Sequence, residues 1–99
     1  MLKEKSRMDA IYERDPESAW NIIEGQAVVL DPREGQLCRL NPAASSLWQR
    51  LDGEKTLAAV LQELENEYAV NLDILRKDVL NLVERLHEME LIRSVGEKS

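Results

Sequence analysis

The chain has little of what catalysis, metal binding or secretion usually requires. Its 99 residues contain one cysteine, Cys38, and one histidine, His87. A single thiol excludes an internal disulfide framework and agrees with a reducing cytoplasm. A single imidazole has no second histidine with which to share a metal, and it stands near the end of a helical pattern, where a cation suits the helix dipole. A cysteine nucleophile would need a base that only His87 could supply, and nothing in the spacing brings the two together. The four glycines are scattered singly at two turns, a helix end and the C-terminal tail, so there is no phosphate-cradling loop. No apolar run approaches the ~18 residues of a membrane span. The opening M-L-K-E-K-S-R-M-D mixes both signs of charge and lacks the hydrophobic core of a signal peptide. The expectation is a cytoplasmic protein with no membrane role and a mobile N-terminal tail over residues 1–18.

Positive charge is also in deficit. With 13 Lys and Arg against 19 Asp and Glu, the net charge is −6, a field that repels polyanions. Arg33, Arg39, Arg50, Arg76, Lys77 and Arg85 are interleaved with Glu34, Asp52, Asp73, Asp78 and Glu84, which reads as solvated mixed-charge faces and not as a phosphate-binding stripe. No nucleic-acid partner is expected. Most remaining carboxylates lie opposite the apolar helix stripes, where solvated charges belong. No enzyme and no cofactor are therefore expected.

What is present is one small domain of ordinary size, placed at residues 19–95, with a C-terminal tail at 96–99. Residues 19–23 and 26–30 are short β-rich runs separated by Glu24 and Gly25, the pattern of a tight hairpin. The segment D-P-R-E-G, residues 31–35, supplies a second turn, and residues 36–40 complete a three-stranded antiparallel meander. So few short strands cannot bury a face among themselves, so helices must cover it. Asn41 is a good N-cap and Pro42 suits the first helical position. Ala43, Leu47, Trp48 and Leu51 then fall on one face, with Gly53 expected to close the helix. Trp48 is assigned to the core, and Trp20, in an outer strand, likewise. Thr56 caps a second helix with apolar positions Leu57, Val60, Leu61, Leu64 and Tyr68. A third helix carries Leu72, Leu75, Val79, Leu82, Val83 and Leu86 to the core, with Arg76 and Leu80 at the edge of that stripe. Three strands followed by three helices make an α+β fold resembling a winged helix-turn-helix rearranged in chain order.

Binding is the remaining function. If residues 36–40 form a sheet edge, they present a proline-free ladder to which an extended peptide can add. Two other classes stay open: a winged-helix DNA-binding regulator reading with the third helix, and a homodimeric scaffold that pairs the same edge across a two-fold.

Across residues 20–92 the order and spacing of V-V-L-D-P-R-E-G, R-L-N, L-W-Q-R-L-D-G, T-L-A-A-V-L-Q-E-L and D-V-L-N-L-V-E-R-L-H-E-M-E-L-I resemble the PqqD family, the leader-peptide recognition elements of ribosomal peptide modification pathways. One departure is Glu90, where the family usually has glycine; a frayed or straighter helix exit is the expectation there. The resemblance implies a peptide chaperone that holds the leader of a precursor peptide antiparallel to the third strand, in the cleft between that strand and the third helix. It then presents the precursor to a modifying enzyme, either a radical SAM protein or a leader protease with a cyclase. Carried onto this chain, the peptide-binding residues are Gln36, Leu37, Cys38 and Arg39 on the strand and Arg76, Leu80 and Val83 on the helix. The helix positions come from the helical wheel, and Arg39 and Arg76 are cast as a charge clamp.

Overall fold

In the computed structural model, which describes residues 8–68 and 71–97, the expected meander is present. Strands β2 (Trp20–Ile23), β3 (Gln26–Asp31) and β4 (Gln36–Arg39) pair antiparallel in that order. Glu24 and Gly25 adopt φ of 55° and 82°, the double left-handed geometry that matches a two-residue turn to strand twist. At the second turn the Asp31 carboxylate accepts from the Arg33 amide at 2.9 Å, and the Gly35 amide closes onto the Asp31 carbonyl at 2.8 Å. Helices α1 (Pro42–Arg50), α2 (Leu57–Glu67) and α3 (Leu72–Glu88) follow. The first two have the expected caps, Asn41 accepting from Ala44 and Thr56 from Ala59, and the third is capped by Asn71, which accepts from Ile74.

The strand inventory is larger than the sequence pattern suggests. Residues 10–14, assigned to the tail, are β1 (Ala10–Arg14), the central strand of a second antiparallel sheet between β5 (Asp52–Thr56) and β6 (Ile92–Glu97). The domain therefore begins before residue 19 and reaches beyond residue 95, while the expected tail residues 1–7 and 98–99 lie outside the described residues. Ala10 and Tyr12 are buried in the core cluster. Only these two inward positions mark β1, and its partners D-G-E-K-T and I-R-S-V-G-E are largely polar, so long-range pairing, not local pattern, creates the sheet.

Gly53 is reassigned by the same sheet. Helix α1 ends at a Leu51 cap, and its last carbonyls are capped by Arg14, whose guanidinium donates to Trp48 and Gln49 at 2.8 and 2.9 Å. Gly53, with φ 82°, sits instead inside β5, where a Cβ would meet the Glu13 carboxylate at 2.9 Å. The β1–β5 register shifts at this point, the behaviour of a bulge that only glycine fits. Nor does the exit of α3 fray at Glu90. The Glu90 amide bonds to His87 and the Leu91 amide to Leu86, both at 3.0 Å, the paired closure of a Schellman turn. Glu90 takes the left-handed position itself, at φ 61°.

The core draws on both sheets and all three helices, with Trp48 fully enclosed and Trp20 packed edge-on against it at 5.8 Å. Trp20 itself is only part-covered, at 37% exposure. Most of the α3 stripe is buried as expected. Two positions trade places: Leu72, assigned to the core, is 40% exposed, and Leu80, placed at the edge, is 6% exposed.

Candidate peptide-binding site

Among the described residues strand β4 pairs with β3 alone, so its other side is an edge. Which main-chain groups face that edge follows from the register, in which Val28, Val29, Leu30 and Asp31 stand opposite Arg39, Cys38, Leu37 and Gln36. The Leu40 amide donates to the Ala27 carbonyl at 2.8 Å, while the Leu30 amide turns the other way, to Ala19. Antiparallel ladders alternate, so Gln36, Cys38 and Leu40 direct their amides at β3, and Leu37 and Arg39 direct theirs outward. A proline at Cys38 would thus break the sheet, whereas one at Arg39 removes an edge donor.

The opposite edge of the sheet differs. By the same alternation the Ile22 amide of β2 faces out, but the Asn21 side chain accepts from it at 2.8 Å. Among the described residues no such side chain covers the outward amides of Leu37 and Arg39. Of the two outward amides of β2, Trp20 and Ile22, its own sequence thus covers that of Ile22, whereas both outward amides of β4 are available.

Side chains split along β4 with the pleat. Cys38 shares a face with fully buried Val29 and is half-buried, so it looks toward the helices. Leu37 and Arg39 lie on the other face, Leu37 at 71% exposure and Arg39 bonded to the Gln26 side-chain carbonyl at 2.9 Å. The end of β4 is fixed by Ser45 of α1. Its buried hydroxyl accepts from the Ala27 amide at 2.7 Å and donates to the Leu40 carbonyl at 3.1 Å, inserting between the two groups that would otherwise complete the last rung.

A groove of about 440 Å³ opens at that end, floored by Ala43, Ala44, Leu47 and Leu64 and walled by Asp78, Leu82 and Arg85 of α3. At the other end of β4, the Arg33 guanidinium donates to the Glu88 carbonyl at 3.3 Å, tying the turn before β4 to the C-terminus of α3. Strand β4 therefore lies along the Asp78, Leu82, Arg85 flank. The sequence-selected helix residues are elsewhere. Arg76 and Leu80 line a separate groove with Ala58, Leu61, Gln62 and Glu65 of α2, about 200° around α3 from Asp78 and Leu82 at ~100° per residue. Leu80 and Val83, at 6% and 1% exposure, are closed into the core. Arg39 and Arg76 consequently do not face one another as a clamp.

Sequence reasoning did not single out Asp78 and Arg85, which line this groove, because a helical wheel gives two flanks and no means of choosing. The available signal was connectivity: β4 runs directly into α1 through Asn41, so the flank of α3 that meets the start of α1 is the one beside the strand.

Electrostatics stiffen the floor of the groove more than they arm it. Arg50 of α1 pairs with Glu63 at 2.9 Å and Glu67 at 3.5 Å on α2. The Ser46 hydroxyl donates to Glu67 at 2.8 Å. That hydrogen bond first, then the Arg50 charge, holds the Glu67 carboxyl below its ordinary range despite some desolvation. At Asp52, burial pushes upward, but hydrogen bonds from the Glu54 and Lys55 amides and the Lys55 charge outweigh it, and the carboxyl is lowered. His87 is exposed and packs edge-on to Tyr12 at 6.1 Å. Among the described residues no three His, Cys, Asp or Glu side chains converge as a metal site would need, and no helix is long and apolar enough to cross a membrane.

Comparison with known proteins places this geometry in context. The family described as Coenzyme PQQ synthesis protein D (PqqD) matches residues 26–92. PqqA binding proteins of Xanthomonas euvesicatoria pv. vesicatoria (strain 85-10) and Xanthomonas axonopodis pv. citri (strain 306) are each 34% identical over 68 residues, covering 69% of this chain and 72% of theirs. A solved lasso peptide synthetase B1, complexed with the leader peptide, superposes with a TM-score of 0.71 at 31% identity, covering 85% of this chain and 99% of that one. TbiB1 in complex with the TbiA(beta) leader peptide shares the fold, with a TM-score of 0.72 at 19% identity over 86% of this chain and 99% of that one.

Proposed function

The chain belongs to the PqqD family, and from that premise we propose that it binds the leader of a ribosomally made precursor peptide by strand addition to β4 and presents it to a modifying enzyme. The observation that carries this reading is the pair of outward main-chain positions, Leu37 and Arg39, beside a groove walled by α3. An added strand gains hydrogen bonds from both, and its alternate side chains enter the groove over Cys38. The binding residues are Gln36, Leu37, Cys38 and Arg39 with Asp78, Leu82 and Arg85, in place of Arg76, Leu80 and Val83. A micromolar complex needs about −8 kcal/mol, within reach of a short strand with one or two apolar anchors.

The role is tethering. Holding the leader raises the effective concentration of the precursor at its enzyme with no chemistry on this chain. In this reading the three helices act as a rearranged winged helix-turn-helix that serves peptide and not DNA. The enzyme partner is a radical SAM protein or a leader protease with a cyclase, working in the cytoplasm.

The test is fluorescence anisotropy with labelled leader peptides from short reading frames beside the gene. Saturable binding is expected, and Leu82→Asp, which places a charge in the groove wall, is expected to weaken it more than tenfold while thermal unfolding stays cooperative. Absence of binding by every neighbouring leader would refute the reading; unchanged affinity in Leu82→Asp would remove the groove from it.

A further inference from the structure

Two side chains of β4 take no part in the groove, and their positions on the strand define a recognition pattern. Leu37 and Arg39 project from the sheet face turned away from the helices, since their partners Leu30 and Val28 alternate with core-facing Val29. Leu37 is the most exposed large apolar residue described, at 71%. Arg39 has no carboxylate partner among the described residues; its acceptor is the neutral Gln26 amide. In a chain of net charge −6, Arg50 and Arg93 are by contrast paired with glutamates.

A strand added antiparallel to β4 must place residues directly opposite these two. Because Leu37 and Arg39 carry the outward amides and carbonyls, the opposing residues form hydrogen-bonded pairs with them, and their side chains project onto the same outer face. In antiparallel order the residue opposite Arg39 comes first, and the residue opposite Leu37 follows two positions later. The residue between them stands opposite Cys38 and turns into the groove.

Resting on the strand-addition reading above, we propose that the outer face of β4 selects leaders carrying a carboxylate and, two residues later, an aliphatic side chain. The Arg39 guanidinium pairs with the carboxylate and Leu37 packs against the aliphatic group. Specificity is thus read on both faces of the added strand, by Leu82 and the groove on one and by Leu37 and Arg39 on the other. Cross-strand pairs of this kind discriminate modestly, by roughly threefold to tenfold on charge reversal.

The experiment is selection of a randomised peptide display library against the full chain and its Arg39→Glu and Leu37→Ser variants. Wild type is expected to enrich a carboxylate and an aliphatic residue at a spacing of two. Arg39→Glu is expected to exchange the carboxylate for lysine or arginine, and Leu37→Ser to lose the aliphatic preference alone. Enriched peptides whose charge preference does not invert with Arg39→Glu, but whose binding is abolished by Arg39→Pro, would overturn this pattern and leave strand addition standing. No enrichment by the wild type, or peptides indifferent to Arg39→Pro, would overturn strand addition and the pattern with it.

Discussion

Ser45→Ala isolates the device that fixes the end of the binding strand. Among the described residues the Ser45 hydroxyl is the one acceptor for the Ala27 amide, at 2.7 Å, and it also donates to the Leu40 carbonyl at 3.1 Å. Ser45 and Ala27 are both buried, so bulk water does not replace the hydroxyl. Leaving a buried amide unpaired costs about 2 kcal/mol, within the usual range of ~1–3. Alanine's better helix propensity returns about 0.5 kcal/mol, for a net loss near 1.5 kcal/mol. At ~4–8 °C per kcal/mol for a domain of this size, the melting temperature should fall by roughly 6–12 °C. The assay is thermal and urea unfolding followed by circular dichroism, with Ser46→Ala as the control. Ser46 sits one position along, half-buried, and its hydroxyl bonds Glu67, Arg50 and Tyr68, side chains that water can reach in its place, so its loss should cost less, about 0.5–1 kcal/mol. Leader affinity should fall in Ser45→Ala and hold in Ser46→Ala. Equal, small effects in the two variants would refute the argument that the hydroxyl completes the last rung of the sheet.

Glu90→Gly should stabilise the protein by about 1 kcal/mol, since glycine occupies the left-handed position at φ 61° without the steric cost borne by glutamate; an unchanged urea midpoint would contradict that cost. Asn21→Val should expose the Ile22 amide on an apolar edge that already carries Trp20, Ile22 and Ile23, and sedimentation at rising concentration should show self-association absent from Asn21→Asp, which keeps the acceptor. The lowered Glu67 carboxyl is ionised more readily in the folded state, so its contribution is complete above its ordinary value of 4.5 and is lost as pH falls below it. The stability difference between wild type and Glu67→Gln should accordingly shrink as the pH is lowered through that region in urea titrations.

The meander and the helices were legible because each announces itself locally. Glu24 and Gly25 demand a tight turn, Asn41 and Thr56 cap, and the apolar stripes repeat at helical spacing. The second sheet was not legible, because Ala10 and Tyr12 are its only inward marks on β1 and its edge strands are polar. Gly53 misled for a related reason: a glycine after a helix reads as a cap, and only the approach of Glu13 from a distant strand shows that it serves a bulge. At the proposed site, the exposed edge of β4 was readable from the residues, whereas the choice of an α3 flank was not. Leu80 was placed at the edge of the stripe and Leu82 in the core, and what favours the other flank is the course of the chain from Arg33, bonded to Glu88, to Asn41, which lines the groove with Leu82.

The alternation along β4 offers the most direct test. Amide hydrogen exchange of the labelled protein should be followed by NMR with and without a leader peptide from a neighbouring reading frame. Strand addition predicts that the Leu37 and Arg39 amides, exposed on the free edge, become protected. Gln36 and Cys38, already bonded to β3, should change little, and Asp78, Leu82 and Arg85 should shift. Protection absent from Leu37 and Arg39 at saturating peptide, or spread evenly over all four strand amides, would contradict the account.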